Sequence, residues 1–284
     1  MNLKTPITVI ILTYNEELNI EQALKNVTDW AEYTYILDSG SKDKTCTIAE
    51  QYPVKIFTRP FDNYANQRNY ALEDLPIKTE WILFLDADEY LMEPLKAEIS
   101  ALLSQGTDKT GFYLRRRFYF MGRWIKYGGY YPTWILRLFK KGAVRCERDI
   151  NEHFVLKGEP GYLKNDFVDN NLKDFTAWVD KHNRYSSFES HQFETEHEAL
   201  SSFWGTPVER KQWIRQKIWN KWIPPLIRPF FLFFYVYIIR FGFLNGIQGL
   251  LYHGMHAFVY PLMTDIKYLE RKKKLKNTSI FENK

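Results

Sequence analysis

The regular alternation of two hydrophobic periods over the first hundred residues most constrains what this chain can fold into. Short β-branched, apolar runs at Thr8–Leu12, Tyr33–Leu37, Val54–Thr58 and Trp81–Leu85 are separated by segments of helical spacing at Glu16–Val27, Thr45–Gln51 and Tyr64–Leu72. A strand that returns through a helix to another strand builds a parallel sheet covered by helices. Sheets of this kind bind ligands beyond the carboxyl ends of their strands. The polar clusters of this chain fall there: Thr13-Tyr14-Asn15-Glu16, Asp38-Ser39-Gly40-Ser41 and Asp86-Ala87-Asp88-Glu89.

The third cluster is the strongest signal. The buried-type run Trp81-Ile82-Leu83-Phe84-Leu85 delivers two carboxylates, Asp86 and Asp88, from a rigid element. Hard cations such as Mg²⁺ or Mn²⁺ take oxygen ligands and keep positions open for phosphates. The competing reading is an acidic turn that caps a helix over Leu95–Leu103. Asp38 can accept a hydrogen bond from a base N–H such as uracil N3, and Gly40 permits a sharp turn after it. Asp43 is expected to cap the next helix. Thr13, Asn15 and Glu16 can meet ribose or base, or cap a helix instead. Arg68 can reach a phosphate or ribose, or lie on a solvated helix face.

Beyond residue 105 the pattern changes. Gly111–Tyr119 and Ile135–Phe139 read as strands of a mixed-sheet half, separated by a Gly- and aromatic-rich stretch, and 172–200 reads as helical. On a strand, Arg115, Arg116 and Arg117 alternate between faces, so one face can meet an anionic acceptor or diphosphate. Trp124, Tyr130, Tyr131 and Trp134 can wall a sugar site or belong to the core. The expected organisation is one domain over 1–200, with an α/β half at 1–105 and a mixed-sheet half at 106–200, then a basic aromatic helical region over 201–284.

Charge divides the same way. From Arg210 to Lys284 there are 14 Lys and Arg against 3 Asp and Glu, whereas 1–209 is net acidic. A basic, aromatic tail suits an anionic surface, a membrane rather than nucleic acid. The apolar run Phe230–Ile239 is too short to span a bilayer and fits helices lying in the headgroup layer. The alternatives are a helical subdomain packed on the core or a dimer interface. Two cysteines make no disulfide framework, and Ile7–Leu12 reads as a first strand rather than a signal peptide. The expected place is the cytoplasm, on the inner face of the membrane.

Taken together, Val9-Ile10-Ile11-Leu12-Thr13-Tyr14-Asn15-Glu16-Glu17, Leu37-Asp38-Ser39-Gly40-Ser41-Lys42-Asp43 and Leu85-Asp86-Ala87-Asp88-Glu89 resemble family 2 glycosyltransferases of the GT-A fold. Tyr127-Gly128-Gly129-Tyr130-Tyr131-Pro132, Leu136-Arg137-Leu138-Phe139-Lys140, Asn183-Arg184-Tyr185 and Gly242-Phe243-Leu244-Asn245-Gly246 resemble a bacterial subgroup that includes glucosyltransferases of lipopolysaccharide core and exopolysaccharide assembly. The resemblance implies a Rossmann-like half with a mixed central sheet. It also implies an inverting enzyme that moves a hexose from a nucleotide-diphosphate sugar, often UDP-linked, to a glycan or lipid-linked acceptor. By position, Asp38 would bind the base, Thr13, Asn15 and Glu16 would line the nucleotide site, Arg68 would lie near the diphosphate, and the Asp86-Ala87-Asp88 triplet would serve ribose and a Mn²⁺ or Mg²⁺ ion, with Asp88 the favoured ligand.

Inversion needs one base opposite the leaving diphosphate, unlike a retaining hydrolase, which needs a second carboxylate as nucleophile. The resemblance points to Glu152 in Asp149-Ile150-Asn151-Glu152-His153, with Asp149 as runner-up. The subgroup usually has a His where this chain has Asn151. His153 would orient the base or approach the metal. Two other readings stand beside this one. A sugar nucleotidyltransferase would carry a Gly-rich loop after the first strand, and Thr13–Glu17 has no glycine. A non-catalytic membrane scaffold leaves the set Asp38, Asp86, Asp88 and Glu152 unexplained.

Overall fold

A computed structural model of the chain describes residues 4–147, 153–195 and 223–282. It divides into two compact units, one of Met1–Trp124 with Tyr130–Lys173, the other of Ile125–Gly129 with Asp174–Lys284.

The first unit is built on one sheet. β1 (Thr5–Thr13), β2 (Ala31–Asp38), β3 (Lys55–Thr58) and β4 (Trp81–Asp86) run parallel in the order β3-β2-β1-β4. α1 (Ile20–Val27), α2 (Thr45–Ala49) and α3 (Tyr64–Glu73) make the crossovers. After β5 (Glu89–Leu91) and α4 (Glu93–Gln105), the sheet continues with β6 (Gly111–Phe120), β8 (Thr133–Lys140) and β11 (Pro160–Asp169). β8 pairs antiparallel with β4 and β6, β11 lies parallel to β6, and β5 closes the edge against β11. The short β7 (Arg123–Trp124) pairs with β6, and β9 (Val144–Glu147) and β10 (His153–Leu156) form a separate hairpin. This is the α/β, mixed-sheet architecture expected of a GT-A fold.

Both faces of the sheet are dry. Ile7, Val9, Ile11, Leu83 and Leu85 pack against α1 and α4, while Ile10, Ile82, Phe84 and Phe139 pack against α3 and the β9–β10 hairpin. Each fully buried aliphatic side chain contributes ~1.5–3 kcal/mol. α1 buries Ile20, Ala23, Leu24 and Val27, a single helical stripe. It starts four residues later than the periodicity predicts, because Glu16 O accepts from Asn19 N and Ile20 N in a turn and Leu18 faces solvent. The hairpin and β11 lack an alternating pattern and are not predicted as strands.

The second unit is helical: α5 (Phe175–Thr195), α6 (Arg228–Phe234) continued by a π-turn over Tyr235–Ile239, a 3₁₀ turn at Gly242–Asn245, α7 (Gly246–His253), a π-turn at Gly254–Val259 and α8 (Tyr260–Glu282). Its interior mixes Ile125, Val236, Tyr252 and Ala257 with several polar groups. Arg228 pairs with Asp265, and both are buried. Asn245 Oδ1 accepts from the backbone N–H of Lys126 and Tyr127, while its Nδ2 donates to Tyr127 O and Gly242 O and lies 3.2 Å from His253 Nε2. Gly128 stands at φ +88, and a Cβ there would lie 2.3 Å from the His253 ring. The Tyr127-Gly128-Gly129 and Gly242–Gly246 segments of the subgroup resemblance therefore meet in one clasp.

Candidate active site

Register brings the three polar clusters to one level. Thr13 pairs with Asp38 across β1 and β2, and Leu12 pairs with Asp86 across β1 and β4. The carboxyl ends of three neighbouring strands thus carry Thr13, Asp38 and Asp86 side by side, because the apolar runs before them have matched lengths.

Asp38 is only 2% exposed. Its Oδ1 accepts from Thr13 Oγ1 (2.9 Å) and Ser41 Oγ (2.5 Å), and its Oδ2 accepts from the backbone N–H of Gly40 and Ser41 (2.8 Å each). A carboxylate has about four acceptor positions, and all are taken by the chain itself. Asp38 thereby shapes the loop expected to face a base, and Gly40 at φ +86 lets that loop turn. Asn15, at φ 53, joins the first loop to the second. Its N–H donates to Ser41 Oγ and its Oδ1 accepts from Lys42 N. The helix cap expected at Asp43 falls instead on Lys44; Asp43, one residue earlier, holds the turn by accepting from Thr45 N and Oγ1 and from Glu17 N.

Arg68 emerges from α3 into the protein rather than into solvent. It is 2% exposed, and its Nη2 lies 3.3 Å from Asp86 Oδ1. This is not the solvated helix face of the alternative reading. Arg137 of β8 reaches the other oxygen of Asp86 at 2.7 Å and Glu89 Oε1 at 2.5 Å. Glu89 Oε2 in turn accepts from Asp86 N at 2.9 Å. Burial pushes the Glu89 carboxyl well above the usual carboxylate range, against the pull of Arg137. The turn Asp86–Glu89 is thus fixed from below by a buried Glu–Arg pair. Ala87 packs into the core at 3% exposure, so only its backbone can touch a ligand.

Asp88, in the middle of this turn, is half-buried. Its Oδ2 accepts from Asn171 Nδ2 at 2.7 Å, and its carbonyl accepts from Asn170 N. The segment after β11 continues over the strand ends: Leu172 N donates to Asn19 Oδ1, and Lys173 Nζ lies 2.5 Å from Glu16 Oε1. Burial raises the Glu16 carboxyl, Lys173 opposes this, and the nearby Asp88 charge adds to it. Sequence reasoning missed Arg137, Asn171 and Lys173. Arg137 had a signal, a lone charge within the apolar run Ile135–Phe139. Asn171 and Lys173 sit in a polar stretch with no pattern.

A hard divalent cation takes all-oxygen ligands, and the candidates at these strand ends are the carboxylates of Asp86, Asp88 and Glu16, each hydrogen-bonded within the chain. Asp86 carries a guanidinium partner on each oxygen, which holds the first carboxylate of the triplet in place. Among the described residues no three His, Cys, Asp or Glu side chains gather as a metal site, so phosphate oxygens would have to complete the shell. Asp149, Asn151 and Glu152 lie outside the described residues, as does the side chain of His153, whose backbone pairs with Glu147.

On the sheet face of β6, Arg115 and Arg117 converge on the buried Asp166 at 2.8 and 2.5 Å, and Tyr131 donates to the same carboxylate. Arg116, on the opposite face, pairs with Asp169. Trp124 meets Tyr131 edge-on, and Trp134 meets Tyr162. The alternation of the arginines is as expected, and the aromatic groups gather round them.

Residues 8–159, more than half of the chain, match the model of the family described as Glycosyl transferase family 2. The chain belongs to that family. It is similar to an uncharacterized glycosyltransferase of Rickettsia bellii, 37% identical over 108 residues, covering 38% of this chain and 36% of that protein. It is also similar to the lipopolysaccharide core biosynthesis glycosyltransferase LpsC of Rhizobium meliloti, 29% identical over 170 residues, covering 56% of this chain and 60% of that one. The chain thus spans about a third to three-fifths of the length of these relatives. Among solved structures, residues 1–349 of S. aureus TarS align over 96% of this chain and 92% of that one, at 12% identity and a TM-score of 0.47. Glucosyl-3-phosphoglycerate synthase of Mycobacterium tuberculosis, solved with Mn²⁺, UDP and glucosyl-3-phosphoglycerate, aligns over 40% of this chain and 44% of that one, at 19% identity and a TM-score of 0.33. As a family 2 member, the chain carries the strand-end clusters inside the matched region, together with Arg137.

Proposed function

We propose that this family 2 protein is an inverting glycosyltransferase that moves one hexose from a nucleotide-diphosphate sugar, UDP-linked, to a hydroxyl of a glycan or lipid-linked acceptor in cell-surface polysaccharide or lipopolysaccharide synthesis. The observation that carries the reading is the strand-end turn Asp86–Glu89. Its Asp86 is neutralised by Arg68 and Arg137, and its Asp88 is held by Asn171 near Glu16. The relative named for lipopolysaccharide core synthesis supports the acceptor class.

The roles follow from the chemistry. The loop held by Asp38 and Asn15 seats the nucleoside through its backbone and through Ser39 and Ser41. Asp88, with Glu16, would hold a Mn²⁺ or Mg²⁺ ion. Such an ion, when bound, supplies positive charge to the diphosphate leaving group. Arg68 and Arg137 fix the Asp86 carboxylate so that the turn does not collapse onto the diphosphate. Glu152 is assigned as the base that takes the proton of the acceptor hydroxyl as its oxygen attacks the anomeric carbon.

Incubation with UDP-glucose and Mn²⁺, followed by chromatography of the nucleotides, tests the reading. UDP formation supports transfer. UTP formation from added pyrophosphate would make the protein a nucleotidyltransferase. No turnover across a panel of nucleotide sugars, with no thermal shift by any of them, would leave a scaffold.

A further inference from the structure

The second unit is built inside out. Between Leu226 and Leu251 the exposed positions are Leu226, Ile227, the aromatic and aliphatic residues of the two helical arms, and a single charge, Arg240. They recur at helical spacing. Phe230/Phe231, Phe234/Tyr235 and Ile238/Ile239 line one arm, and Phe243/Leu244, Ile247 and Leu250/Leu251 line the other. The buried positions of the same unit include Arg228, Asn245, His253, Thr264 and Asp265. A water-soluble helical unit puts its apolar stripe inward. Polar groups turned inward and apolar groups turned outward are the arrangement demanded by a hydrocarbon solvent. Scattered exposed apolar residues would need no account, but an unbroken apolar face of this kind does.

The geometry decides how deep such a unit sits. Arg228–Ile239 is twelve helical residues, about 18 Å long at ~1.5 Å per residue. That is well short of the roughly 30 Å hydrocarbon core. The helix that follows from Gly242 departs at 70°; among the described residues no single helix is long and apolar enough to cross a membrane, and only this bent pair, taken together, has the length and composition of a broken span or re-entrant loop. The break falls at Arg240 and Phe241, the latter at φ 58. Because the apolar positions of both arms are exposed, the arms can lie flat together with Arg240 at the corner, its long side chain reaching the headgroups. Charge points the same way. From Arg228 to Lys284 there are 9 Lys and Arg against 3 Asp and Glu, with four in a row at Arg271-Lys272-Lys273-Lys274 on α8.

We propose that Leu226–Leu251 is a monotopic anchor, two helical arms lying in one leaflet of an anionic membrane with their aromatic and aliphatic face in the acyl layer. This assignment rests on the second unit alone and holds whether or not the first unit transfers sugar. The partner is a lipid surface, with the basic end of α8 meeting acidic headgroups.

Flotation of the full-length protein with phosphatidylethanolamine–phosphatidylglycerol vesicles tests it. The expected result is flotation that survives high salt and is weaker on phosphatidylcholine. Phe231→Gln/Phe234→Gln should lower binding at least about tenfold, with unchanged circular dichroism and melting temperature, since both rings are exposed. Ile247→Gln/Leu251→Gln on the other arm should do the same and serves if the first variant misfolds. Protease added outside should leave no fragment protected in the vesicle lumen. Failure to float, equal flotation of both double variants, or a lumenal fragment would overturn the assignment. So would a lipid-independent dimer that these substitutions dissolve, which would make the face an interface between copies.

Discussion

Replacing Arg137 by Met should destabilise the first unit by about 3–5 kcal/mol, the range for removing one partner of a buried ion pair. The two halves of its interaction differ. Asp86 is 38% exposed at the side chain, so its ion pair is worth no more than ~1 kcal/mol. Glu89 is 2% exposed, so losing Arg137 leaves a carboxylate in the core with Asp86 N as its remaining donor. Most of the loss therefore comes through Glu89, and Glu89→Gln should recover it. With a urea slope of about 2 kcal/mol per M, the single variant's midpoint falls by ~1.5–2.5 M. The double variant should lie within ~1 kcal/mol of Glu89→Gln alone. The pH dependence has a definite sign. Burial already raises the folded-state Glu89 carboxyl above its unfolded value, and removing Arg137 raises it further. Both proteins are favoured at low pH, and the variant's deficit opens as pH rises past the wild-type folded value, about 8, where the wild type stops losing stability and the variant continues to, so the deficit is larger at pH 9 than at pH 6. Urea melts of the four proteins of the cycle, followed by far-ultraviolet circular dichroism, give both numbers. A deficit below ~1 kcal/mol that is independent of pH and of Glu89 would refute the buried-pair account.

Three further outcomes are expected. Glu152→Gln should lower kcat by about 10²–10⁴ with little change in the donor KM, read as UDP release; retention of most activity would move the base elsewhere. Lys173→Met should raise the already elevated Glu16 carboxyl further, so that metal-dependent donor binding weakens at a higher pH on the acid side than in the wild type, read by titration from pH 8 downward. In the second unit, burial lowers His182 and His253 to about 4. Their neutral forms stabilise the fold above the unfolded value near 6.5, and this stability is lost as pH falls from there through about 4. Near-ultraviolet circular dichroism against pH follows it, and a flat profile over that window would contradict the burial of these rings.

The α/β half was legible because its strands end in polar clusters and its helices carry single apolar stripes. The register that puts Thr13, Asp38 and Asp86 at one level follows from the lengths of those runs. What the sequence hid was partner choice. By residue type Asp38 and Arg68 read as exposed polar groups, but both are buried, one bonded to its own loop and the other paired with Asp86. Whether a charge faces water or a countercharge depends on strands that pair far apart in sequence, such as β4 with β8. Asn171 and Lys173 come to the strand ends only because β11 runs parallel to β6, which no local period encodes. In the tail, composition gave the basic and aromatic character, while the inversion of polar and apolar faces needed the packing of α5, α7 and α8.

The central claim is that Asp88 at the end of β4 binds a nucleotide diphosphate through a divalent cation. Isothermal titration of UDP into the protein, with Mn²⁺ and with chelator, for wild type and Asp88→Asn, tests it most directly. The account predicts binding that needs the metal in wild type and falls at least about tenfold in the variant, a loss of ~1.4 kcal/mol or more. Equal UDP affinity with chelator, or in Asp88→Asn with Mn²⁺, would contradict it.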